Sequence, residues 1–209
     1  LENIERVKSL YLKSIQSFAM IYIPISVVLI LYSEPFVLFI LGEKWFEMAE
    51  IMPVFGFMLL FASMHKCNTI ALKSVGRVDL LFRMYVVFVI ASIVGCIIGA
   101  QFGIFWVAVG MLITTFLLFI ASTIISTQVL KIKFVIYFEQ ISTLITYGLL
   151  MFISGYLLNL LLSSFFESSH ILLGIFGFSI CSTVYMLALI LRPVPAWQHF
   201  KELLNIQKL

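Results

Sequence analysis

Long apolar stretches alternate with short clusters of charged residues along most of the chain. The first uncharged stretch lies between Lys13 and Glu34, and the next apolar stretch is centred on residues 51–64. No charged residue occurs at positions 84–130, about twice the roughly 20 residues that one helix needs to cross a bilayer. We therefore predict two helices in this stretch, joined by a turn at GAQFG, residues 99–103.

Two more apolar stretches complete the pattern, one between Glu139 and Glu167 and one between Glu167 and Arg192. The RPVP sequence that starts at Arg192 is expected to end the last helix, because proline cannot continue one. The whole pattern predicts an all-α fold, a polytopic membrane helix bundle with six transmembrane helices.

Three prolines lie in or beside the first two predicted spans. Proline lacks a backbone N–H group and clashes with the preceding turn, so it bends or ends a helix. In a membrane helix, neighbouring groups can bond the carbonyl that proline leaves free. The candidate helix bends are Pro24, Pro35 and Pro53.

Basic residues are divided unequally between the two sides of this predicted bundle. Successive spans alternate in direction, which places every lysine and arginine except Lys44 on one side. The positive-inside rule makes that side cytoplasmic, so we expect both termini in the cytoplasm. The predicted organisation is a cytoplasmic amphipathic flank at 1–14, six transmembrane helices within 15–192, and a cytoplasmic interfacial tail at 193–209.

Composition agrees with a membrane protein and argues against several other classes. The chain is 63% hydrophobic and 11% charged, whereas soluble proteins average about 45–50% and about 25%. Its formal net charge of +3 is too small to indicate nucleic-acid binding. The three cysteines are widely spaced and show no metal-ligand pattern, and two of them, Cys96 and Cys181, lie in apolar runs.

No set of residues in the sequence indicates catalysis. There is no nucleophile–base pair, and we expect no cofactor and no metal site. The three histidines are expected at or beyond helix ends, far apart in sequence, where they would be ordinary interfacial residues: His65, His170 and His199. The pair Gly95 and Gly99 is expected to serve helix packing, since small residues one turn apart let helices approach closely.

The outer segment at 34–50 concentrates charge in an otherwise apolar region. A glycine there permits a sharp turn, a tryptophan suits the headgroup level, and Lys44 would be offset by Glu43 and Glu47. Two interpretations stay open, an ordinary anchored hairpin and an outer gate. The residues of this outer turn or gate are Gly42, Glu43, Lys44 and Trp45.

The predicted cytoplasmic loop at 65–83, HKCNTIALKSVGRVDLLFR, is the richest in polar groups. It retains positive charge inside, and Arg77 can pair with Asp79. The guanidinium group of arginine can form two hydrogen bonds to phosphate oxygens at once, and lysine carries a single ammonium charge. The loop could therefore also attract an anionic headgroup. The candidates for this substrate path at the inner mouth are Lys73, Arg77, Asp79 and Arg83.

The segment LGEKWFEMAEIMPVFG, preceded by SEPFV and followed by ALKSVGRVDLLFR, resembles polysaccharide flippases of the O-antigen, teichoic-acid and colanic-acid export group. These belong to the multidrug/oligosaccharidyl-lipid/polysaccharide exporter superfamily. Two motifs carry the resemblance. The first is a Leu-Gly-x-Lys-Trp turn, and the second is a later Gly-Arg loop with an acid. Here they comprise Leu41, Gly42, Lys44 and Trp45, then Gly76, Arg77 and Asp79.

The resemblance implies a fold of two six-helix bundles, often with two further helices. This chain would be the C-terminal portion, roughly helices nine to fourteen, and would need the missing N-terminal lobe to form a central cavity. The implied function is translocation of a polyprenyl-pyrophosphate-linked oligosaccharide across the bacterial inner membrane by alternating access. Expected partners are that lipid-linked oligosaccharide, membrane lipids, the missing lobe and other polysaccharide-assembly proteins, with no nucleic acid.

Three alternatives differ from this function. A multidrug exporter shares the superfamily but would favour a less cationic path. A membrane-embedded glycan-processing enzyme would need a catalytic set on an outer loop, and the outer loops other than 34–50 are very short. A non-transporting membrane anchor subunit is the third alternative.

Overall fold

The computed structural model describes residues 2–162, 170–191, 194, 195 and 197 of the chain. All its regular elements are helices, which confirms the predicted all-α class. A 3₁₀ helix at Glu43–Glu50 lies between the second and third α-helices. The α-helices are α1 (Glu2–Leu31), α2 (Ser33–Ile40), α3 (Met52–Ser74), α4 (Val78–Ala100), α5 (Ile104–Val129), α6 (Phe134–Leu162) and α7 (His170–Leu191).

Five of these helices are long and apolar enough to cross a membrane, namely α1, α3, α4, α5 and α6. In α7 the described apolar part, Phe176–Leu191, is shorter. The predicted turn at 99–103 is confirmed, because α4 ends at Ala100 and α5 begins at Ile104. The sixth span and the cytoplasmic position of the termini stay predictions.

The helices extend further than the charge pattern indicated. The predicted flank at 1–14 is not a separate element, since α1 runs without a break from Glu2 to Leu31. Helix α3 continues through Lys66 to Ser74, so the first ten residues of the predicted loop at 65–83 are helical. The predicted tail at 193–209 lies outside the described residues apart from Val194, Pro195 and Trp197.

The prediction that His65 lies at a helix end is therefore wrong. His65 lies inside α3 and is buried. The physical reason is a stripe of buried residues at helical spacing, which gives this part of α3 a face to pack although charged residues lie on the other face. The stripe consists of Met64, Cys67, Asn68, Ala71 and Leu72.

The chain divides into two compact units. The first unit contains Leu1–Ala19 and Phe57–Ile141, and the second contains Met20–Gly56 and Ser142–Leu209. In the first unit, α3, α4 and α5 share an apolar core. Its buried members are Leu72, Leu81, Met84 and Leu118, with Phe88, Ile125 and Val129 packed against them.

Helices α4 and α5 form an antiparallel hairpin with backbones in close contact. A Cβ atom placed at Gly99 would lie 2.6 Å from the carbonyl oxygen of Trp106. A Cβ atom at Gly95 would lie 3.4 Å from the carbonyl oxygen of Gly110. Small residues thus allow the two helices to approach, which confirms the packing role predicted for the glycine pair.

In the second unit, a tyrosine of α7 compensates for the proline inside α1. Pro24 has no N–H group, so the carbonyl of Met20, four residues earlier, loses its helical donor. The hydroxyl of Tyr185 donates a hydrogen bond to that carbonyl oxygen at 2.9 Å. Because both groups are buried from water, this bond satisfies an acceptor that would otherwise be unpaired.

Removing the Tyr185 hydroxyl should destabilise the protein only while Pro24 is present. We expect Tyr185→Phe to lower the free energy of unfolding by about 1 kcal/mol, because it leaves the Met20 carbonyl without a donor. In a Pro24→Ala background the helix supplies its own donor, and the same substitution should have almost no effect. Thermal unfolding of the purified protein in detergent measures both differences.

Tyr156→Phe in α6 is the matched control, since that side chain is 56% exposed. It should leave the unfolding temperature unchanged. Equal losses from Tyr185→Phe with and without Pro24 would contradict the assigned role of the hydrogen bond.

Candidate functional site

The inner-mouth candidates all lie around the end of α3 and the start of α4, and all four are exposed. The predicted pair is present: Arg77 Nε donates to Asp79 Oδ1 at 3.1 Å and Arg77 Nη2 donates to Asp79 Oδ2 at 3.4 Å. The guanidinium fork is therefore occupied by a carboxylate, and an incoming phosphate would have to compete for it. Water screens an exposed ion pair of this kind and leaves it weak, so the competition is feasible.

Lys73 and Arg83 differ from Arg77 in having no carboxylate partner in the described part of the chain. Lys73 lies in the last turn of α3, and Arg83 follows the first turn of α4. They are the two cations of this group that are immediately available to an anion.

The outer turn is built on a glycine that the backbone requires. The N–H groups of Leu41 and Gly42 both donate to the carbonyl oxygen of Val37, at 2.8 and 3.0 Å, which closes α2. Gly42 has φ 83°, a conformation that disfavours a side chain, and the 3₁₀ helix begins immediately after it. Trp45 is 54% exposed, as expected of a side chain at the headgroup level.

The expected offset of Lys44 by Glu43 and Glu47 is not observed. No ion pair joins Lys44 to either glutamate within the described residues. Trp45, with φ −108° and ψ 16°, interrupts the helical register between Lys44 and Glu47. The charges of the outer turn therefore face solvent or headgroups separately.

The three predicted helix bends occupy different positions. Pro24 lies inside α1, which continues beyond it to Leu31. Pro35 and Pro53 lie in the first turns of α2 and α3, where proline is readily accommodated. The break itself is at Tyr32, with φ −122° and ψ 39°.

Tyr32 is held at the break by close packing within the second unit. Its hydroxyl donates to the carbonyl oxygen of Gly155 at 3.3 Å and lies 3.7 Å from Cys181 Sγ. A Cβ atom at Gly177 would overlap the Tyr32 ring, so the ring needs a glycine in α7 beneath it. Nothing in the local sequence of Tyr32 indicates these contacts, which come from α6 and α7.

An apolar cavity of about 540 Å³ adjoins this break. Side chains of α1, α2 and α7 line it, among them Val28, Tyr32, Phe36, Phe39 and Phe178. A lining of this kind accepts hydrocarbon and offers almost no polar partner.

A buried polar cluster in the first unit was missed by the sequence analysis, and we call it the Asn68 cluster. The Oδ1 atom of Asn68 accepts a hydrogen bond from Tyr11 Oη at 2.7 Å. Its Nδ2 atom donates to Ser122 Oγ and Thr123 Oγ1, both at 2.9 Å. Ser126 Oγ donates to the backbone carbonyl of Asn68 at 3.3 Å. This one amide ties together α1, α3 and α5.

The position of Asn68 in the buried stripe of α3 could have revealed the cluster, had residues 65–74 been predicted as helical. A second polar contact, from Gln16 Nε2 to Gln140 Oε1 at 2.7 Å, joins α1 to α6 in the same unit. Within the described residues, no group of three or more His, Cys, Asp or Glu could hold a metal ion.

A family model described as "Polysaccharide biosynthesis protein" matches residues 2–50. The matched segment contains α1, the break at Tyr32, α2, the turn at Gly42 and the 3₁₀ helix. No curated protein and no solved structure matches the chain significantly. The match and the five long apolar helices together fit a multi-pass membrane protein of polysaccharide biosynthesis.

Proposed function

We propose that this chain is part of a membrane flippase. It moves a polyprenyl-pyrophosphate-linked oligosaccharide outward across a bacterial cytoplasmic membrane, for the biosynthesis of a cell-surface polysaccharide such as O-antigen. The supporting observation is that the family match and the broken helix fall on the same residues, 2–50. The segment that matches the polysaccharide biosynthesis model is also the one that folds as a long helix, a break, a short helix and an outer turn.

The broken helix supports transport because discontinuous helices are frequent movable parts of transporters that work by alternating access. In this proposal α2 and the outer turn at 42–45 form the outer gate, with Tyr32 as the pivot. Closure of a central path requires a second lobe, which the proposal assigns to a segment or partner beyond these residues. The substrate passes through chemically unchanged, so no catalytic residue is required.

The exposed cations around the α3–α4 connection support an anionic substrate. A pyrophosphate offers several oxygens, which a guanidinium and an ammonium can contact with charge-assisted hydrogen bonds. Lys73 and Arg83 would make the first contacts, and Arg77 would join after exchanging Asp79 for phosphate. The apolar cavity in the second unit is suited to part of an isoprenoid chain, which supports a lipid-linked substrate.

Removing the two available cations together should slow transport of such a substrate. We expect Lys73→Ala combined with Arg83→Ala to reduce initial transport about a hundredfold or more, because each of the two lost charged contacts is worth about 1.5–3 kcal/mol. Arg77→Ala alone should have a smaller effect, because the Arg77 guanidinium is already paired with the Asp79 carboxylate. The assay follows a fluorescent polyprenyl-pyrophosphate oligosaccharide in liposomes that contain the full-length protein.

Lys133→Ala is the matched control, because it removes one exposed cation from the α5–α6 connection, outside both the proposed gate and the inner-mouth group. It should not lower uptake from the inner side. If the double variant transports at the parental rate with equal protein in the liposomes, the inner-mouth assignment fails. If the parent itself moves no lipid-linked oligosaccharide, the flippase proposal fails.

A further inference from the structure

His65 is a buried titratable residue in the interior of α3, and nothing in the proposed transport path uses it. Its side chain is 6% exposed. At 1.5 Å per residue it lies roughly 13 Å before the end of the helix at Ser74. An ionisable residue inside a membrane helix is uncommon, because its charged form is costly there.

The two nitrogens of the imidazole have different surroundings. Nε2 lies 3.2 Å from Tyr85 Oη of α4 and 3.3 Å from Thr69 Oγ1. The Thr69 hydroxyl also lies 3.1 Å from the His65 carbonyl oxygen, to which it donates. Nδ1 is buried and has no hydrogen-bond partner among the described residues.

This asymmetry assigns the tautomer. If Tyr85 donated to Nε2, the ring proton would be on Nδ1, where a buried N–H group would have no acceptor. A buried donor without a partner is rarer in proteins than a buried acceptor with a spare lone pair. Nε2–H therefore donates to Tyr85 Oη, and Nδ1 keeps a bare lone pair inside the protein.

We propose that Nδ1 of His65 is a proton-binding site, and that binding a proton there changes the contact between α3 and α4. The proton comes from water and forms a new N–H bond on Nδ1, which leaves an imidazolium. In the arrangement described here the new N–H group would be buried without an acceptor. Protonation therefore favours an arrangement in which the ring reaches water or another acceptor.

The charged and titratable groups around His65 do not offer that acceptor. Helix α5 contains no titratable residue, and Lys66 of α3 is itself a cation and exposed. On α4 the residue in contact with His65 is Tyr85, which already accepts the Nε2–H bond. The charged residues of that helix are Asp79, which is paired with Arg77, and Arg83, which is a cation. From α1 the buried titratable group is Tyr11, whose hydroxyl is bonded to Asn68.

The direction of the effect follows from linkage. The described arrangement binds the proton poorly, and an arrangement with a hydrated ring binds it as an exposed histidine does, near pH 6.5. Each pH unit below that value then shifts the equilibrium by up to about tenfold toward the hydrated arrangement. This inference does not depend on what the chain transports.

A spin-label distance between α3 and α4 tests the proposal in lipid nanodiscs. Labels are placed through Ile70→Cys and Val87→Cys, since both side chains are exposed, in a Cys96→Ser background. Cys67 and Cys181 are buried and should not react. Between pH 7.5 and pH 5.5 we expect the population of a second distance to rise about tenfold. In His65→Gln that rise should be absent.

His170→Gln is the matched control and should keep the response, because it removes a different one of the three histidines. If His65→Gln does not fold, Tyr85→Phe keeps the imidazole but removes its present acceptor, and should move the response to higher pH. A distance that is constant from pH 7.5 to 5.5 in the parent would overturn the proposal. So would a response that persists in His65→Gln.

Discussion

Gly99→Ala is expected to lower the unfolding temperature of the protein by roughly 4–8 °C, which corresponds to about 2 kcal/mol for a chain of this size. The added methyl group would lie 2.6–2.7 Å from backbone atoms of Trp106 and Val107. Backbone atoms of a helix cannot rotate away as a side chain can, so α4 and α5 must separate. Overpacking of this kind costs about 1–3 kcal/mol.

Gly95→Ala provides a matched comparison one turn earlier on the same helix. There the nearest atom is the Gly110 carbonyl oxygen at 3.4 Å, which is close to ordinary contact. We expect a loss of less than about 1 kcal/mol at this position. The measurement is thermal unfolding of both variants in the same detergent. Equal losses for the two alanines would show that the α4–α5 hairpin does not pack as described.

Asn68→Leu is expected to have the second large effect, a loss of about 2 kcal/mol in the free energy of unfolding. Leucine is similar in size but leaves the Tyr11 hydroxyl without its acceptor in a buried site. Ser122 and Thr123 keep their bonds to the Phe119 carbonyl, so most of the cost should come from Tyr11. The N-terminal half of α1, which contains Tyr11, should therefore be loosened first.

A double-mutant cycle separates this hydrogen bond from changes in packing. Tyr11→Phe should cost less than Asn68→Leu, and the double variant should lose less than the sum of the two, because both remove the same bond. Asn159→Leu in α6 is the matched control: Asn159 is half-buried, and its side chain has no hydrogen bond within the described residues. Additive losses in the cycle would contradict the cluster.

The two predictions concern different ways of joining helices where water is scarce. The α4–α5 hairpin relies on close backbone approach, and the Asn68 cluster relies on buried hydrogen bonds between three helices. In lipid both replace the hydrophobic force that drives helix association in water. Both lie in the first unit, together with the inner-mouth residues. Loss of either is therefore expected to affect the α3–α4 connection where Lys73 and Arg83 lie.

Several features could be predicted from the sequence because they depend on local composition. Helix positions follow from uncharged stretches, since charge is costly in lipid over a length that a bilayer sets. The turn at 99–103 and the turn at Gly42 follow from residues that break helices. The Arg77–Asp79 pair follows from two opposite charges two residues apart.

Other features were predicted wrongly because charge was taken as a sign of the membrane boundary. His65 and Lys66 were placed in a loop, although one side of α3 remains buried to Leu72. A helix can carry a charged face and a buried face over the same residues, and only the neighbouring helices decide which face is covered. Glu43 and Glu47 were expected to offset the charge of Lys44, and no ion pair joins them to it within the described residues.

By itself, the sequence determined that this protein is an apolar helical protein and where its long apolar stretches lie along the chain. These are properties of consecutive residues. Only the tertiary structure decided which distant groups meet: Tyr185 with the Met20 carbonyl, Tyr32 with Gly177, Asn68 with Tyr11 and Ser122, and His65 with Tyr85. A uniformly apolar helix has no marked face, so its contacts are set by the shapes and few polar groups of its neighbours.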